Sequence, residues 1–141
     1  MVVKIYIPIR GIKKHLALMQ EKHLIKKNFS FLNCQIKDGK LLCFGKCQPT
    51  EMSIVYHYRI EWEPGKNPKV FTFNPEIKYD DNIHMYSDGS LCLYYPNDFS
   101  FNIKSHLHET IVPWIHEWYL FYELYLIKGV WLHPFVEHKK N

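Results

Sequence analysis

One seven-residue stretch limits the architecture more than any other. In YHYRIEW, Tyr56, Tyr58, Ile60 and Trp62 fall on one face with the preceding Ile54, while His57, Arg59 and Glu61 fall on the other. That period of two belongs to a β-strand with one apolar and one polar face. Turn formers sit around it. Pro64-Gly65 ends it, Val70 to Phe73 reads as a further strand, and Asn74-Pro75 closes that one. Upstream, Leu32, Cys34 and Ile36 alternate up to Asp38-Gly39, a hairpin turn signal, and Leu41 to Phe44 makes the return strand. Four short strands joined by tight turns predict an antiparallel meander.

The meander is bracketed by helical patterns. Gly11 to about Ile25 reads as a helix, with Ile12, Leu16, Met19 and His23 near one face and the lysines largely elsewhere. The second helix follows Thr110, which is placed to cap its N-terminus, and accepts Pro113 in its first turn. Trp114, Trp118, Phe121, Tyr122 and Tyr125 form a broad aromatic stripe, and Gly129 stops the helix. Helix, meander and helix make an α+β domain with helices packed on an antiparallel sheet. A chain of 141 residues fits one such domain, over residues 1–141, and no repeat or linker divides it. With 47% hydrophobic and 16% aromatic residues it can bury a core, which excludes a disordered chain.

Charge and hydropathy narrow the function. The formal net charge is +4, with the densest cluster at Lys13, Lys14, Lys22, Lys26 and Lys27. A nucleic-acid binder gathers its positive charge on one face. Here a solvated helix face explains the lysines, so nucleic-acid binding is not expected. Lys4 breaks the opening apolar stretch, which lacks the order of a secretion signal, and Glu123 interrupts the apolar run from Trp118 to Ile127. The expectation is a cytoplasmic protein without a membrane span, whose four cysteines are free thiols.

Residues 80 to 100 keep no period, so they read as a long loop that requires a reason. The loop contains IHMYSDGSLCLYYP, residues 83 to 96. Cys34, Cys43 and Cys47 read as small buried hydrophobes. Cys43 and Cys47 approach a zinc spacing, but no second close pair completes a site, so no metal is expected. Cys92 differs. The Asp88-Gly89 turn and the polar groups before it bring its thiol toward a surface groove.

Residues 86 to 93, YSDGSLCL, resemble the active-site segment of ubiquitin-conjugating enzymes: Tyr, two variable residues, Gly, one variable, an aliphatic, the catalytic Cys and Leu. LLCFGKCQPTE, YHYRIEW and NPKVFTFNPEI are similar to that family's meander and its proline-rich approach to the site. The helix after Cys92 stands where the family has its long helix. The family's His-Pro-Asn triplet aligns with Asn82, Ile83 and His84, so His84 replaces the Asn. A His there is similar to bacterial branches. PWIHEWYLFYELYLIKGVWL, residues 113 to 132, resembles the short stand-alone conjugating-type proteins of bacterial anti-phage cyclic-oligonucleotide (CBASS) operons.

The resemblance implies a ubiquitin-conjugating (UBC-like) fold and a thioester between Cys92 and a cargo protein's C-terminus. It also implies that the cargo is a cGAS-like nucleotidyltransferase, primed for signalling by conjugation. An alternative is a non-catalytic binding module of the same fold. A thioester transfer passes through a tetrahedral oxyanion, and His84 reads as a donor to it, as a base or as a brace of the loop alone. Tyr86 reads as a channel wall or a loop anchor, Asn82 as a further supporting residue, and Asp88 as the turn former. Trp114, Trp118, Phe121 and Tyr122 exceed what one helix on a small sheet hides, which makes them candidate partner-binding anchors. His133, Glu137 and His138 read as tail. No nucleotide-binding motif is visible, so no cofactor is expected, and either a separate enzyme activates the cargo or this branch works differently.

Overall fold

The computed structural model describes residues 9–94 and 105–132, with side chains from Gly11 onward. Its elements run in the order α1 (Ile9–Asn28), β1 (Asn33–Lys37), β2 (Lys40–Cys47), β3 (Tyr56–Trp62), β4 (Lys69–Asn74) and α2 (Ile111–Lys128). The strands form one antiparallel sheet in sequence order, as the alternation and turn signals predict. The α+β fold expected from the sequence is the fold observed.

The β1–β2 turn shows why Asp38-Gly39 works. Both residues have positive φ, 53° and 74°, and Lys37 pairs with Lys40 across them. This two-residue turn matches the right-handed twist of its strands. One sheet face carries Cys34, Cys43, Tyr58, Ile60 and Val70 in cross-strand register and is buried. Gly45 sits on that face beside Tyr58, where a Cβ would come within 2.7 Å of the phenol oxygen. Ile54, expected at the start of β3, lies outside it and is exposed.

Helix α1 packs on β1 and β2 through a different face from the one expected. Ile12, Leu16 and Met19 are 40%, 58% and 50% exposed, and His23 is exposed with them. Leu18, Glu21 and Ile25 are buried instead. A carboxylate in the buried row hides this face from a hydrophobic reading. Its burial is offset by two donors, the Leu107 N–H at 3.0 Å and His106 Nδ1 at 3.0 Å.

Helix α2 reaches the sheet through long side chains. The Tyr119 ring stacks on Tyr56 at 4.6 Å, and its hydroxyl hydrogen-bonds Thr72 at 2.6 Å. Glu123, which breaks the apolar run, accepts from Ser53 Oγ at 2.6 Å and the Tyr56 hydroxyl at 3.4 Å. Gly129 ends the helix as expected, at φ 73° with its N–H on the Tyr125 carbonyl. The N-terminus departs from expectation. Thr110 makes no side-chain cap, because its hydroxyl donates back to the His106 carbonyl at 2.8 Å. No helix among the described residues is long and apolar enough to cross a membrane.

Candidate functional site

The loop after β4 holds a short hairpin. Met85 and Leu91 form a bridge, the Tyr86 N–H donates to the Ser90 carbonyl at 2.8 Å, and the Gly89 N–H donates to the Tyr86 carbonyl at 2.9 Å. Gly89 has φ 89°, a conformation for which glycine has no steric penalty. The Leu91 N–H donates to the Val70 carbonyl at 2.8 Å, so the hairpin docks on the edge of β4.

Asp88 and Lys69 lock the tip. Lys69 Nζ lies 2.8 Å from Asp88 Oδ2, and the Ser90 N–H donates to Asp88 Oδ1 at 2.8 Å. Burial raises the Asp88 carboxyl, but the hydrogen bonds from Lys69 and Ser90 outweigh it and hold the group at about 2. The same contact with Asp88 raises the Lys69 ammonium. Asp88 is thus a turn former, as expected, with a tether to β4 that its sequence neighbours do not reveal.

The hairpin register brings His84 opposite Cys92. The Cys92 N–H donates to the His84 carbonyl at 2.9 Å. Trp118 Nε1–H donates to the same carbonyl at 3.1 Å. His84 sits in the left-handed region at φ 54°, which few non-glycine residues other than Asn, Asp and His tolerate. Its imidazole stacks on the Trp131 indole, with centroids 5.2 Å apart and planes 18° from parallel.

A second convergence joins Cys92 to Tyr86. The Cys92 thiol donates to the Tyr94 carbonyl at 3.5 Å, and the Tyr86 hydroxyl donates to that same carbonyl at 3.2 Å. The surface groove expected for the thiol is not the arrangement found: Cys92 is 3% exposed. Tyr94 is buried in turn, which pushes its phenol up to about 12, with Cys92 adding to the effect.

The other expected residues divide. Asn82 is exposed, and both its backbone N–H and its side-chain amide donate to Asp80 Oδ1. It shapes the approach to the hairpin and is turned toward Asp80. Trp118 is 2% exposed, which corrects its expected place on a partner-facing surface: its indole belongs to the core and to the His84 carbonyl. Trp114, Phe121 and Tyr122 are half-buried. Tyr95 and Pro96 of the motif, and His133, Glu137 and His138, lie outside the described residues.

The remaining cysteines are buried in the sheet. Cys34 and Cys43 face each other across β1 and β2. The hydrogen bond with Cys34 and burial push the Cys43 thiol up, and burial with nearby Glu123 takes Cys47 to about 11. Neither Cys43 nor Cys47 is thereby primed as a nucleophile. Among the described residues, no group of three His, Cys, Asp or Glu side chains is arranged to hold a metal ion.

Sequence reasoning missed Lys69, Tyr94 and Trp131. Lys69 and Tyr94 leave no local signal, because their roles depend on hairpin docking. Trp131 follows the helix-stopping Gly129, where an apolar residue commonly folds back onto the last turns.

No curated protein matches the chain. A family model described as Type II CBASS E2 protein matches residues 21–139, which include the meander, the hairpin with His84 and Cys92, and α2. The chain therefore belongs to the Type II CBASS E2 family, the E2-like proteins of CBASS anti-phage systems.

Proposed function

We propose that this protein is a thioester-forming transferase, acting as one UBC-like domain over residues 1–141, with Cys92 as nucleophile and His84 as its catalytic partner. The cargo is the C-terminus of a cGAS-like nucleotidyltransferase, activated beforehand by a separate enzyme. The Cys92 thiolate attacks the activated carbonyl. A C–S bond forms, and the activating group leaves with its electron pair. An acceptor nucleophile then attacks the thioester, its bond to carbon forms, and the Cys92 thiolate leaves. Both steps pass through an oxyanion, where one positioned donor contributes about 3 kcal/mol. His84 supplies that donor from its ring or takes the proton of the incoming nucleophile. Tyr86 lines the approach to the thiol, and Asn82 and Asp88 keep the loop in shape. Trp114, Phe121 and Tyr122 offer half-buried aromatic surface for the partner.

The observation that carries this reading is the register that sets His84 directly across from Cys92. Family membership supports it at the level of an E2-like protein. Reaction requires the Cys92 thiol to leave the Tyr94 carbonyl and meet the cargo. The burial of Cys92 favours a second reading, a non-catalytic module that only binds the same partner.

A peptide with the nucleotidyltransferase's C-terminal sequence, prepared as a small-molecule thioester, bypasses the activating enzyme. Intact-mass spectrometry is expected to give a wild-type adduct that a thiol reductant removes, and no adduct in Cys92→Ala. Adduct in Cys92→Ala sinks the assignment. Saturable binding of the peptide without wild-type adduct establishes the binding module instead.

A further inference from the structure

After α2 the chain turns at Gly129, whose left-handed conformation sends it back along the helix. Trp131 consequently lies over the helix it has just left. Its indole is 5.4 Å from Trp118 and 6.4 Å from Phe121, ring centre to ring centre. Beyond them it reaches the imidazole of His84, in near-parallel stacking. His84 is already held at its backbone, where one carbonyl accepts from Cys92 and Trp118. The ring torsion of a histidine has broad wells. A large flat neighbour removes that freedom.

Trp131 Nε1 is buried and has no hydrogen-bond partner among the described residues. A buried unpaired donor is destabilising. The indole's contact with His84 is made through its face, in near-parallel stacking.

We propose that Trp131 is a positioning residue, whose indole face fixes the orientation of the His84 imidazole beside the Cys92 hairpin. The proposal rests on the reading of His84 as the partner of Cys92 in transfer. It couples the end of α2 to the site through Trp131.

The test combines kinetics with a measurement that needs no turnover. Single-turnover adduct formation with the C-terminal peptide thioester is compared in wild type, Trp131→Ala, Trp131→Phe, His84→Gly and the double variant Trp131→Ala with His84→Gly. Glycine at 84 keeps the left-handed backbone and removes the ring. Trp131→Ala is expected to slow the reaction on the order of ten- to a hundredfold, the scale of a misplaced catalytic group. Trp131→Phe retains a ring face and recovers most of the rate. In the His84→Gly background, Trp131→Ala adds less than about twofold, because residues acting through one another are non-additive. In parallel, the carbon-bound imidazole protons of His84, assigned by their loss in His84→Gly, shift in Trp131→Ala as the ring current disappears. Unmoved His84 signals overturn the stacking itself. A Trp131→Ala effect as large without His84 as with it overturns positioning through His84. A wild-type rate in His84→Gly, with the signals still displaced by Trp131→Ala, refutes the role of His84 in transfer and reduces Trp131 to packing.

Discussion

Replacing Asp88 with Asn asks whether the tip of the Cys92 hairpin is held by charge. The side-chain oxygen of Asn still accepts from the Ser90 N–H, so the substitution removes chiefly the attraction to Lys69, whose ammonium lies 2.8 Å from the carboxylate. The Asp88 carboxyl falls from an ordinary 3.8 to about 2 in the folded protein. At about 1.36 kcal/mol per pH unit of pKa, that difference corresponds to roughly 2.4 kcal/mol. The Asp88 side chain is 39% exposed, so solvent screening leaves about 1 kcal/mol as its net contribution. Asp88→Asn is expected to lower Tm by about 3 °C at pH 7. The pH dependence identifies the cause. A carboxyl with a depressed folded pKa contributes stability above its unfolded pKa and loses it as pH falls through the folded one. The difference between wild type and Asp88→Asn, measured by urea unfolding, should be constant from pH 7 to about 5. It should shrink below about pH 4 and vanish toward pH 2. A gap that is absent at pH 7, or undiminished at low pH, refutes the reasoning.

Two further changes probe the frame around the site. Gly45→Ala places a methyl against Leu32 and within 2.7 Å of the Tyr58 ring, so it should destabilise by about 1–3 kcal/mol; an unchanged urea midpoint would mean that the strand relaxes freely. Trp118→Phe removes the indole N–H from the His84 carbonyl while keeping most of the packing. It should lower stability by about 1 kcal/mol and slow adduct formation, and a variant matching wild type in both melting and single-turnover rate would mark that hydrogen bond as idle.

What was legible in the sequence followed local periodicity. The alternation of Tyr56, Tyr58 and Ile60, the Asp38-Gly39 turn and the Gly129 stop each act within a few residues, and each appears in the structure where the pattern puts it. The face of α1 was not legible, because Glu21 belongs to the buried row only through His106 and Leu107, which lie far along the chain. Thr110 shows the same limit at short range: its hydroxyl has two carbonyl or amide choices, and the turn before α2 offers the His106 carbonyl first. In the site, the motif singled out His84 and Cys92, but not the Met85–Leu91 bridge that pairs them. A hairpin of so few residues has no room for a period of two. The docking of the hairpin through the Val70 carbonyl is a long-range contact that no reading of the loop alone predicts.

The backbone at position 84 constrains its residue before any chemistry does. At φ 54° its carbonyl accepts from both the Cys92 N–H and the Trp118 indole, so the left-handed conformation is what ties the hairpin to α2. An ordinary side chain in that region costs roughly 1–2 kcal/mol, whereas Gly, Asn, Asp and His adopt it more readily. Conformation alone therefore allows either the Asn of the ubiquitin-conjugating pattern or the His found here. Trp131 separates the two. An amide satisfies the backbone but presents little surface to an indole, while an imidazole covers it in near-parallel stacking. Position 84 and position 131 read as a matched pair: the backbone requirement narrows the choice to a few residues, and the aromatic face left by the turn at Gly129 favours histidine among them.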